Sequence, residues 1–538
     1  MDIIILAAGL GSRLSKYTHN IIPKYLVTIG NNTGLYHIIN YWNKYTKKIY
    51  LVIHSKFNQI TEFYIKNILV DFADKIEIIN YDTSDGTAYT LNFILNNNLK
   101  DKISNDLCIT WCDIFPKDLL EIPFINNNNN NNIFVFTNNC NCRYNLDENN
   151  KIVPSEINKG NIVGIYYFQN YKSFNLLDDL YNQDIVQFLD KIGNIYNYEI
   201  NKIVDYGDEN KLNLIINNPS TNMFNCRYFN NIKLLDNNKL LKTAINNKGQ
   251  TIMEFEKNWY MYIQKNYNHI DFLPKIYETY ETYENGFLME YKEDYIPLYK
   301  YFNKNGFSSS ILHILFNKIK ILHELSEITI DKQLFLENLK IEIFNKVINR
   351  KESINPLLEY FGNIKTVNKV NIESFDTILN KCNQIIYKYY DNLNNNINIY
   401  KYNIIHGDCQ FSNTLINNNN DIIFIDPRGY FGNSKIYGIK EYDYSKILYS
   451  LYGFDNFNAN YFIIDSIDNE SIQITIQTFF TEETNIFFKD VHKAFMIIIW
   501  LSFAEYVKND ISKCLAAYYY GLYLGTILFF TNDLTDII

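Results

Sequence analysis

Residues 6–14, LAAGLGSRL, followed by PKYL at residues 23–26, decide the fold of the N-terminal part of the chain. The mostly apolar residues 2–7 predict a short buried strand that runs directly into a loop containing Gly9 and Gly11. Small residues there let backbone amides approach the phosphates of a nucleotide. The loop lacks the third glycine of the dinucleotide-binding fingerprint, so its spacing alone does not define a nucleotide site.

Two cations near the loop sharpen this interpretation. Arg13 lies inside the loop, and Lys24 lies in the PKYL stretch just beyond it. Cations so placed can neutralise phosphate oxygens on either side of a reacting phosphorus atom, whereas ordinary surface charge is the alternative role. The predicted nucleotide-binding residues are Leu6, Ala7, Ala8, Gly9, Gly11 and Ser12, and the predicted catalytic cations are Arg13 and Lys24.

The first 215 residues or so resemble the nucleotidyltransferases that activate sugar phosphates and phosphocholine, whose motif is an AAGxGxR loop followed by a PK pair. In this resemblance, DGTAYTL at residues 85–91 looks like the turn that binds the base and the ribose. The resemblance therefore implies that Gly86 and Thr87 approach the nucleotide.

The same resemblance implies a Mg²⁺ ion held by two aspartates. Asp113 ends an apolar strand in ITWCDIF, where ligands lie in open α/β sheets, and it looks like the family's magnesium aspartate. Asp205, in KIVDYGDENKLNLI, looks like part of the family's closing WxDxGTxExL element. Asp208 stays an alternative because it replaces the threonine of that element. Carboxylates and phosphate oxygens together complete such a site.

The implied chemistry needs no protein nucleophile. A phosphate monoester attacks the α-phosphate of a nucleoside triphosphate in line, cations stabilise the accumulating charge, and pyrophosphate leaves. Cys112, beside Asp113, is therefore predicted to be a packed residue.

A second resemblance begins at about residue 223. IIHGDCQFSN at residues 404–413 and IIFIDPRG at residues 422–429 resemble the aminoglycoside phosphotransferase and choline kinase families. Asn413 follows Asp408 by five residues, which is the spacing of the catalytic-loop aspartate and asparagine in protein kinases. The spacing, set against strand-like apolar runs, makes this a specific signal.

The resemblance implies a role for each polar residue of these two stretches. Asp408 would orient and deprotonate the hydroxyl of the acceptor, Asn413 would bind Mg²⁺, and Asp426 would bridge the metal to the phosphates of ATP. His406 is predicted to brace the loop. Arg428 either contacts an anionic acceptor or braces the loop.

A kinase-like site also needs a lysine on the phosphates and an acid that positions it. Lys242, in KLLKTAI, is the best lysine, and Glu256, in EFEKNWY, is the best helical acid, with Glu254 as the alternative. GFLMEY at residues 286–291 resembles the hinge that meets adenine.

Residues 443–455 and the helical region after Pro297 are expected to choose the acceptor. Their tyrosines and Trp500 could cage a quaternary ammonium, but the high tyrosine content of the chain favours ordinary packing.

Composition excludes several classes of partner. The chain of 538 residues has a net charge of -9 and no basic stripe, which excludes binding to polymeric nucleic acid. Eight cysteines show neither zinc-ligand spacing nor a small disulfide framework, so a cytoplasmic location is expected. No signal peptide or membrane insertion is expected, because the apolar start predicts a strand and the uncharged residues 514–530 predict a buried helix.

The length predicts two α/β domains. Residues 1–217 are predicted to form a Rossmann-like nucleotidyltransferase sandwich, and residues 222–538 a bilobal, protein-kinase-like α+β domain. NNPST at residues 217–221 is the predicted joint. The asparagine tracts at residues 126–132 and 417–420 are predicted to be solvated loops.

The two resemblances imply a bifunctional enzyme. Its C-terminal domain would phosphorylate a small alcohol, amino alcohol or sugar with ATP. Its N-terminal domain would couple the phosphate ester to CTP or another nucleoside triphosphate, giving a precursor for glycan or lipid decoration. Two alternatives stay open: a kinase-like domain that only binds its ligands, and a non-catalytic scaffold. A scaffold gains nothing from burying Asp408, Asn413 and Asp426 together.

Overall fold

The computed structural model describes residues 1–118 except 31, 83–85 and 101; 132–217 except 143, 156–159, 170, 172–182 and 190–192; 230–277 except 236 and 237; 286–394 except 363; and 399–531 except 469. Asp85, residues 126–131 of the first asparagine tract and residues 218–221 of the predicted joint lie outside this set.

The chain divides into two units. The first comprises Met1–Ser220, Pro356–Phe361 and Val507–Ile511, and the second comprises Thr221–Asn355, Gly362–Tyr506 and Ser512–Ile538.

A mixed, seven-stranded sheet organises the described part of the first unit. The apolar strand Asp2–Ala7 is buried along its whole length, as expected for a strand covered on both faces. It pairs in parallel with Ile49–Ile53 on one side and with Leu107–Trp111 on the other. From edge to edge the strands are Asn194–Glu199, Asn132–Cys142, Gly160–Phe168, Leu107–Trp111, Asp2–Ala7, Ile49–Ile53 and Ile76–Asn80.

The parallel pairing brings two chemically important segments together at the carboxyl ends of these central strands. The glycine loop follows Asp2–Ala7, and Asp113 follows the neighbouring parallel strand Leu107–Trp111. The carboxyl ends of neighbouring parallel strands lie side by side, and open α/β sheets bind ligands just outside these ends. The segment Ile114–Pro116 then pairs antiparallel with Ile203–Asp205 and so brings Asp205 to the same region.

Helices pack on this sheet through apolar faces. Leu91 and Ile94, from the helix Thr87–Asn97, share a buried cluster with Ile4 and Ile109 of the sheet. Among its described residues, the α-helices of the first unit are Ser15–Thr18, Gly34–Trp42, Asn58–Asn67, Thr87–Asn97 and Glu209–Asn217, and the 3-10 helices are Ser12–Leu14, Lys24–Leu26, Ser55–Phe57, Val70–Lys75 and Ile185–Phe188. Short strand pairs are Thr28–Ile29 with Asn32–Thr33 and Tyr144–Leu146 with Ile152–Pro154.

The second unit opens with a four-stranded antiparallel sheet. Its strands, in spatial order, are Asn230–Leu235, Lys239–Ala244, Gly286–Glu290 and Ile276–Tyr277. The helix Asn247–Asn266 packs against Lys239–Ala244 and buries Glu256, Trp259 and Tyr260. The stretch predicted as a hinge forms the strand Gly286–Glu290, directly beside Lys239–Ala244.

The rest of the second unit is mainly helical. The α-helices that lie wholly or mostly in it are Leu298–Asn305, Ser309–Glu324, Lys332–Leu339, Asn345–Phe361, Phe375–Asn394, Lys440–Leu451, Phe454–Asn458, Glu482–Asn485, Asp490–Tyr506 and Ile511–Phe529, and a π-helical turn spans Lys340–Phe344. Its remaining strands are Ile296–Pro297, Glu327–Asp331, Thr366–Val367, Val370–Asn371, Ile399–Ile404, Thr414–Ile416, Ile422–Phe424, Tyr430–Phe431, Ser434–Lys435, Tyr437–Gly438, Phe462–Ile467 and Ser471–Ile476. Asn417 caps an exposed turn between two of these strands, as predicted for the second asparagine tract.

The last described helix, Ile511–Phe529, is buried, as the sequence predicted. A Cβ atom at Gly521 would lie 3.0 Å from the side chain of Leu501, and one at Gly525 would lie 2.6 Å from Ile378, so both glycines allow close packing. Within the described ranges, none of the helices is both long and apolar enough to cross a membrane.

His492 is a buried titratable group of the second unit. It lies in the helix Asp490–Tyr506 with 4% of its surface exposed, and its Nδ1 accepts a hydrogen bond from the amide of Lys489. Burial, with a smaller effect from the charge of Lys489, lowers the pKa of His492 to about 3. The folded state therefore excludes a proton that the unfolded chain takes up below about pH 6.5.

Replacement of His492 by glutamine should reduce the acid sensitivity of the fold. Because the folded pKa is depressed, His492 makes stability fall as pH drops from about 6.5 towards 3. Between pH 7.5 and pH 5 the wild type should lose about 2 kcal/mol more free energy of unfolding than His492→Gln. Denaturant titrations at both pH values measure this, with the exposed His269→Gln as control. Parallel pH profiles for wild type and His492→Gln would contradict the assignment.

Candidate functional site

The N-terminal candidate site is assembled around the glycine loop. Gly11 has φ 74°, and a Cβ atom on it would lie 3.2 Å from the Cβ of Lys24, so conformation and close approach both require glycine. The amide of Cys112 donates to the carbonyl of Leu6 at 3.3 Å, which ties the start of the loop to the segment carrying Asp113. The fold thus brings the loop, Lys24 and Asp113 together.

Lys24 and Asp113 form a buried ion pair. The Lys24 Nζ lies 2.5 Å from Asp113 Oδ2, and the two side chains are 13% and 7% exposed. Burial alone would lower the pKa of Lys24 and raise that of Asp113, but their mutual attraction outweighs burial and shifts both pKa values the other way. The charge of Arg13 further lowers the pKa of Asp113. Both partners are therefore held in their charged forms.

Cys112 is packed, as predicted. It is 3% exposed, and burial raises the pKa of its thiol to about 12. A thiol with such a pKa supplies almost no thiolate at neutral pH, so it is unsuited to act as a nucleophile.

Gly207 lies between the two predicted metal-binding aspartates. A Cβ atom on Gly207 would fall 2.8 Å from Asp113 Oδ2 and 3.2 Å from Asp205 Oδ1. Two carboxylate oxygens from distant parts of the chain therefore converge on a space that only glycine leaves open. The Asp205 carboxylate also accepts from the Gly207 amide at 2.9 Å and pairs with Lys211 Nζ at 2.5 Å.

Asp208 has a different position. Its Oδ1 accepts a hydrogen bond of 3.0 Å from the amide of Lys211, which is the geometry of a helix N-cap at the start of Glu209–Asn217. Of the two alternatives left open by the sequence, the structure places Asp205 beside Asp113 and gives Asp208 a capping contact.

These carboxylates fit a magnesium ion. Mg²⁺ is commonly bound by one or two carboxylates together with oxygens of a phosphate substrate, and Asp113 and Asp205 supply two convergent carboxylates. In the described part of the chain, no group of three or more His, Cys, Asp or Glu side chains is arranged to hold a metal ion. In magnesium sites of this kind, oxygens of the phosphate substrate complete the coordination.

Gly86 and Thr87 begin the helix Thr87–Asn97. Gly86 has φ 88°, a conformation that favours glycine. The Thr87 hydroxyl donates to Asp184 Oδ1 at 3.2 Å and accepts from the Ile185 amide at 3.0 Å. These contacts fix the turn, and its role in binding base and ribose stays a prediction.

In the second unit, a buried lysine joins two carboxylates from separate segments. Lys242 Nζ lies 2.8 Å and 2.7 Å from the two carboxylate oxygens of Glu256, and 2.9 Å from Asp426 Oδ1. Burial would lower the pKa of Lys242, but the charges of Asp426 and Glu256 raise it above its usual value. Glu254 is exposed, so the structure selects Glu256 as the partner of Lys242.

Asp426 adopts an unusual backbone conformation. Its φ is +56°, in the left-handed region that non-glycine residues rarely occupy. Its amide donates to the hydroxyl of the buried Tyr260 at 3.1 Å, which holds the residue in place. Such strained positions cluster at functional sites.

Asp408 and Asn413 meet within one loop. Asn413 Nδ2 donates to the Asp408 carbonyl at 2.9 Å and to its Oδ2 at 3.1 Å. The Asn413 side-chain oxygen, the atom that can bind a cation, takes no part in these two bonds. The Ile425 amide donates to the Asn413 carbonyl at 2.9 Å. Asp426 directly follows Ile425, so Asn413 and Asp426 lie on adjacent backbone segments. An amide oxygen and a carboxylate so placed fit Mg²⁺.

Sequence reasoning missed several residues that organise these sites. Asp443 is fully buried and accepts from the amides of His406 and Gly407 at 2.9 Å and 2.7 Å. Lys446, one turn further along the same helix, lies 3.0 Å from Asp408 Oδ1. The i, i+3 spacing of Asp443 and Lys446 in YDYSK is the signal that could have placed both on one helix face.

The remaining predictions in this unit concern bracing and packing. His406 is fully buried, and its Nδ1 accepts from the Asp408 amide at 3.2 Å, consistent with a brace. Arg428 bonds to Glu342 and to the hydroxyls of Tyr430 and Tyr442. Trp500 is fully buried against Tyr449, Phe454 and Phe457, so it packs in the core.

Comparison with known proteins gives matches to the N-terminal part of the chain. No family model matches. The chain is 30% identical over 192 residues to the bifunctional protein GlmU of Methanococcus aeolicus, covering 34% of this chain and 43% of that protein. It is 33% identical over 127 residues to GlmU of Methanococcus vannielii, covering 23% and 27%. The chain therefore spans less than half the length of these curated relatives.

Solved structures are also similar to this part of the chain. The inositol-1-phosphate CTP transferase from T. maritima has a TM-score of 0.33 at 14% identity, covering 40% of this chain and 94% of that one. HddC from Yersinia pseudotuberculosis has a TM-score of 0.33 at 21% identity, covering 40% and 98%.

Substitutions of Asp205 and Asp208 should have different effects on metal binding. Because Asp205 converges with Asp113, Asp205→Asn should weaken Mn²⁺ binding in the presence of a nucleoside triphosphate by at least about tenfold. Asp208→Asn keeps a good N-cap and should bind Mn²⁺ as the wild type does. Electron paramagnetic resonance titration of Mn²⁺ measures both. The reverse ranking would assign the ligand to Asp208.

Substitutions of Glu256 and Glu254 should have different effects on the free energy of unfolding. Glu256→Gln removes one of two charges that compensate buried Lys242, and should cost up to about 3 kcal/mol of unfolding free energy. Glu254→Gln, at the exposed position, should change it by less than about 0.5 kcal/mol. Denaturant unfolding measures the free energy of unfolding of both variants. Equal effects would show that the Lys242–Glu256 ion pair does not stabilise the fold.

Proposed function

We propose that the first unit is a nucleotidyltransferase that couples a phosphate monoester to a nucleoside triphosphate. The observation that carries this proposal is the convergence of Asp113 and Asp205 at Gly207, with Lys24 paired to Asp113 beside the glycine loop. Similarity of the N-terminal part of the chain to GlmU proteins supports it.

The residues of this unit divide the work of such a reaction. Loop amides at Gly9, Gly11 and Ser12 would cradle the triphosphate, while Arg13 and Lys24 would neutralise its oxygens. An oxygen of the phosphate monoester bonds to the α-phosphorus, the bond from that phosphorus to the bridging oxygen breaks, and pyrophosphate leaves. Mg²⁺ bound by Asp113 and Asp205 would supply further charge stabilisation.

For the second unit we propose ATP-dependent phosphorylation of a small hydroxyl compound. Lys242, positioned by Glu256, would hold the phosphates of ATP, and Asp426 and Asn413 would hold Mg²⁺. Asp408 would orient the hydroxyl of the acceptor and take its proton. The hydrogen bonds from the amides of His406 and Gly407 to the Asp443 carboxylate hold this loop in place.

If the product of the second unit is the substrate of the first, the chain carries out two successive steps. Phosphorylation of an alcohol, amino alcohol or sugar would be followed by coupling to CTP or another nucleoside triphosphate. The product would be a nucleotide-activated precursor for glycan or lipid decoration. We assign residues 1–217 to the coupling step and residues 222–538 to the phosphorylation step.

One observation favours a second candidate, in which the kinase-like unit binds ligands without transferring phosphate. Asp408 is engaged on both carboxylate oxygens, by Lys446 at 3.0 Å and by Asn413 at 3.1 Å. A carboxylate neutralised in this way is a weaker base. A bound acceptor would have to draw Lys446 away from Asp408 for the transfer to proceed.

Mass spectrometry of the full-length protein can test the two-step proposal. The protein is incubated with Mg²⁺, all four ribonucleoside triphosphates, deoxythymidine triphosphate and pooled sugars, amino alcohols, polyols and their phosphates. A new nucleotide-linked product should form from unphosphorylated acceptors. Asp113→Asn should abolish nucleotide coupling and spare phosphorylation, because it removes a ligand of the first site only. Asp408→Asn should have the opposite effect.

Three outcomes would change this interpretation. Coupling of phosphorylated acceptors alone would move the second unit to the binding role. Loss of both activities in either folded variant would exclude two independent sites. Absence of any nucleotide-linked product, with phosphorylation intact, would exclude the assignment of the first unit.

A further inference from the structure

Four cations extend from the loop that carries Asp408 to the helix Asn345–Phe361, and we refer to Arg428, Lys346, Arg350 and Lys446 as the cationic cluster. Lys446 Nζ lies 3.0 Å from Asp408 Oδ1. Glu342 joins two other members, because its carboxylate accepts from Arg428 Nη2 and from Lys346 Nζ, each at 2.7 Å. The cluster therefore begins at the predicted catalytic loop.

Helical spacing aligns part of the cluster. Glu342, Lys346 and Arg350 follow one another at i, i+4 intervals, which places them along one face of a helix. Glu342 lies in the π-helical turn Lys340–Phe344, immediately before the α-helix Asn345–Phe361. Single π-helical turns within α-helices are frequently found at functional sites.

Arg428 anchors the cluster to the loop. Gly407 has φ +77°, and a Cβ atom on it would lie 2.9 Å from the Cβ of Arg428. The Arg428 guanidinium also lies 4.3 Å from the ring centre of Tyr430, and Lys446 and Arg428 both face the ring of Tyr442, at 5.7 Å and 6.0 Å. The backbone against which Arg428 packs is therefore that of the residue directly before Asp408.

Within the described residues, the cations of the cluster outnumber the carboxylates that lie at ion-pair distance from them. Its four cations have ion-pair contacts to three carboxylates, those of Asp408, Glu342 and, at 3.9 Å, Glu505. Burial, followed by the charge of Arg428, lowers the pKa of Lys346 to about 7 even though Glu342 opposes the shift. The depressed pKa of Lys346 thus reflects its burial first and the repulsion of the neighbouring guanidinium groups second.

The members differ in their availability to a ligand. Arg428 and Lys446 are 15% and 11% exposed, and they have a carboxylate partner within 3.0 Å, as Lys346 also does. Lys346 and Arg350 are 26% and 29% exposed and lie one helical turn apart. A ligand that enters beside Asp408 would meet these two as the more accessible cations.

We propose that the acceptor of the second unit bears an anionic group, a carboxylate or a phosphate, which Lys346 and Arg350 bind while its hydroxyl faces Asp408. This inference rests on the proposed phosphorylation and narrows its substrate class from alcohols in general to acidic hydroxy compounds. Neutral and cationic alcohols would offer these two cations no anionic group to bind.

The reaction of such an acceptor balances without a further reagent. Its hydroxyl oxygen forms a bond to the γ-phosphorus of ATP, the bond from that phosphorus to the β–γ bridging oxygen breaks, and ADP leaves. The proton of the hydroxyl passes to Asp408. The product carries the original anionic group and a new phosphate ester.

Matched acceptors can test the inference on the full-length protein. Glycerol, choline, glycerate and glycerol 3-phosphate form one set, and glucose, gluconate and glucose 6-phosphate form another. With ATP and Mg²⁺, ADP release and product mass are measured for each. At least one anionic member should have a KM about tenfold or more below that of its neutral counterpart. The carboxylate and phosphate members distinguish the two kinds of anion. Equal KM values for neutral and anionic members would overturn the inference.

Lys346→Met should raise the KM for the preferred anion by about tenfold or more, and leave kcat and the affinity for ATP nearly unchanged. Lys388→Met, at an exposed position on the helix Phe375–Asn394, is the matched control and should change nothing. Thermal unfolding confirms that each variant is folded. An unchanged KM in folded Lys346→Met would overturn the inference.

Direct binding separates this inference from the proposed function. Glycerate and glycerol 3-phosphate are titrated by nuclear magnetic resonance into the wild type with ADP and Mg²⁺ present. Saturable binding that Lys346→Met abolishes, without turnover of any acceptor, would support the anion site and reject the kinase step. Turnover of neutral acceptors with no saturable anion binding would support the kinase step and reject the anion site. Neither turnover nor binding would reject both.

Discussion

The burial of a lysine against carboxylates is the constraint on which both candidate sites depend. In the second unit, Lys242 is 3% exposed and touches Glu256 and Asp426, which come from different segments. In the first unit, Lys24 and Asp113 form the corresponding pair. Removing one partner of a buried pair costs about 3–5 kcal/mol because it leaves an uncompensated charge. The chain segments that carry these groups are therefore tied together by charge as well as by packing.

Backbone approach is the second requirement, and glycine meets it at two places. Gly207 leaves room for the convergence of Asp113 and Asp205, and Gly407 leaves room for Arg428 beside the loop of Asp408. A methyl group at either position would collide with the atoms that the site needs. Both glycines are needed because they have no Cβ atom. A search of the sequence for functional groups therefore does not find them.

Much of the local structure could be predicted from the sequence, because it depends on neighbours in the chain. The apolar run 2–7 forms the expected buried strand, and Asp113 follows the end of an apolar strand. The choice between Asp205 and Asp208 could not be predicted in this way. It depends on which residue pairs across to the segment after Leu107–Trp111 and which one begins a helix, and that is a property of the tertiary fold. Contacts such as Arg428 with Glu342, 86 residues apart, leave no short-range pattern at all.

The lysines paired with the site carboxylates also constrain how ligands can bind. Asp113, Asp205 and Asp426 each have a lysine partner, namely Lys24, Lys211 and Lys242. A cation that joins one of these carboxylates repels its lysine at short range, whereas a phosphate that arrives with the cation offers the lysine a new anionic partner. Metal and nucleotide should therefore bind each site more tightly together than separately. Such an arrangement would keep these carboxylates compensated before a ligand binds, and it would make their metal affinity depend on the phosphates that the proposed reactions require.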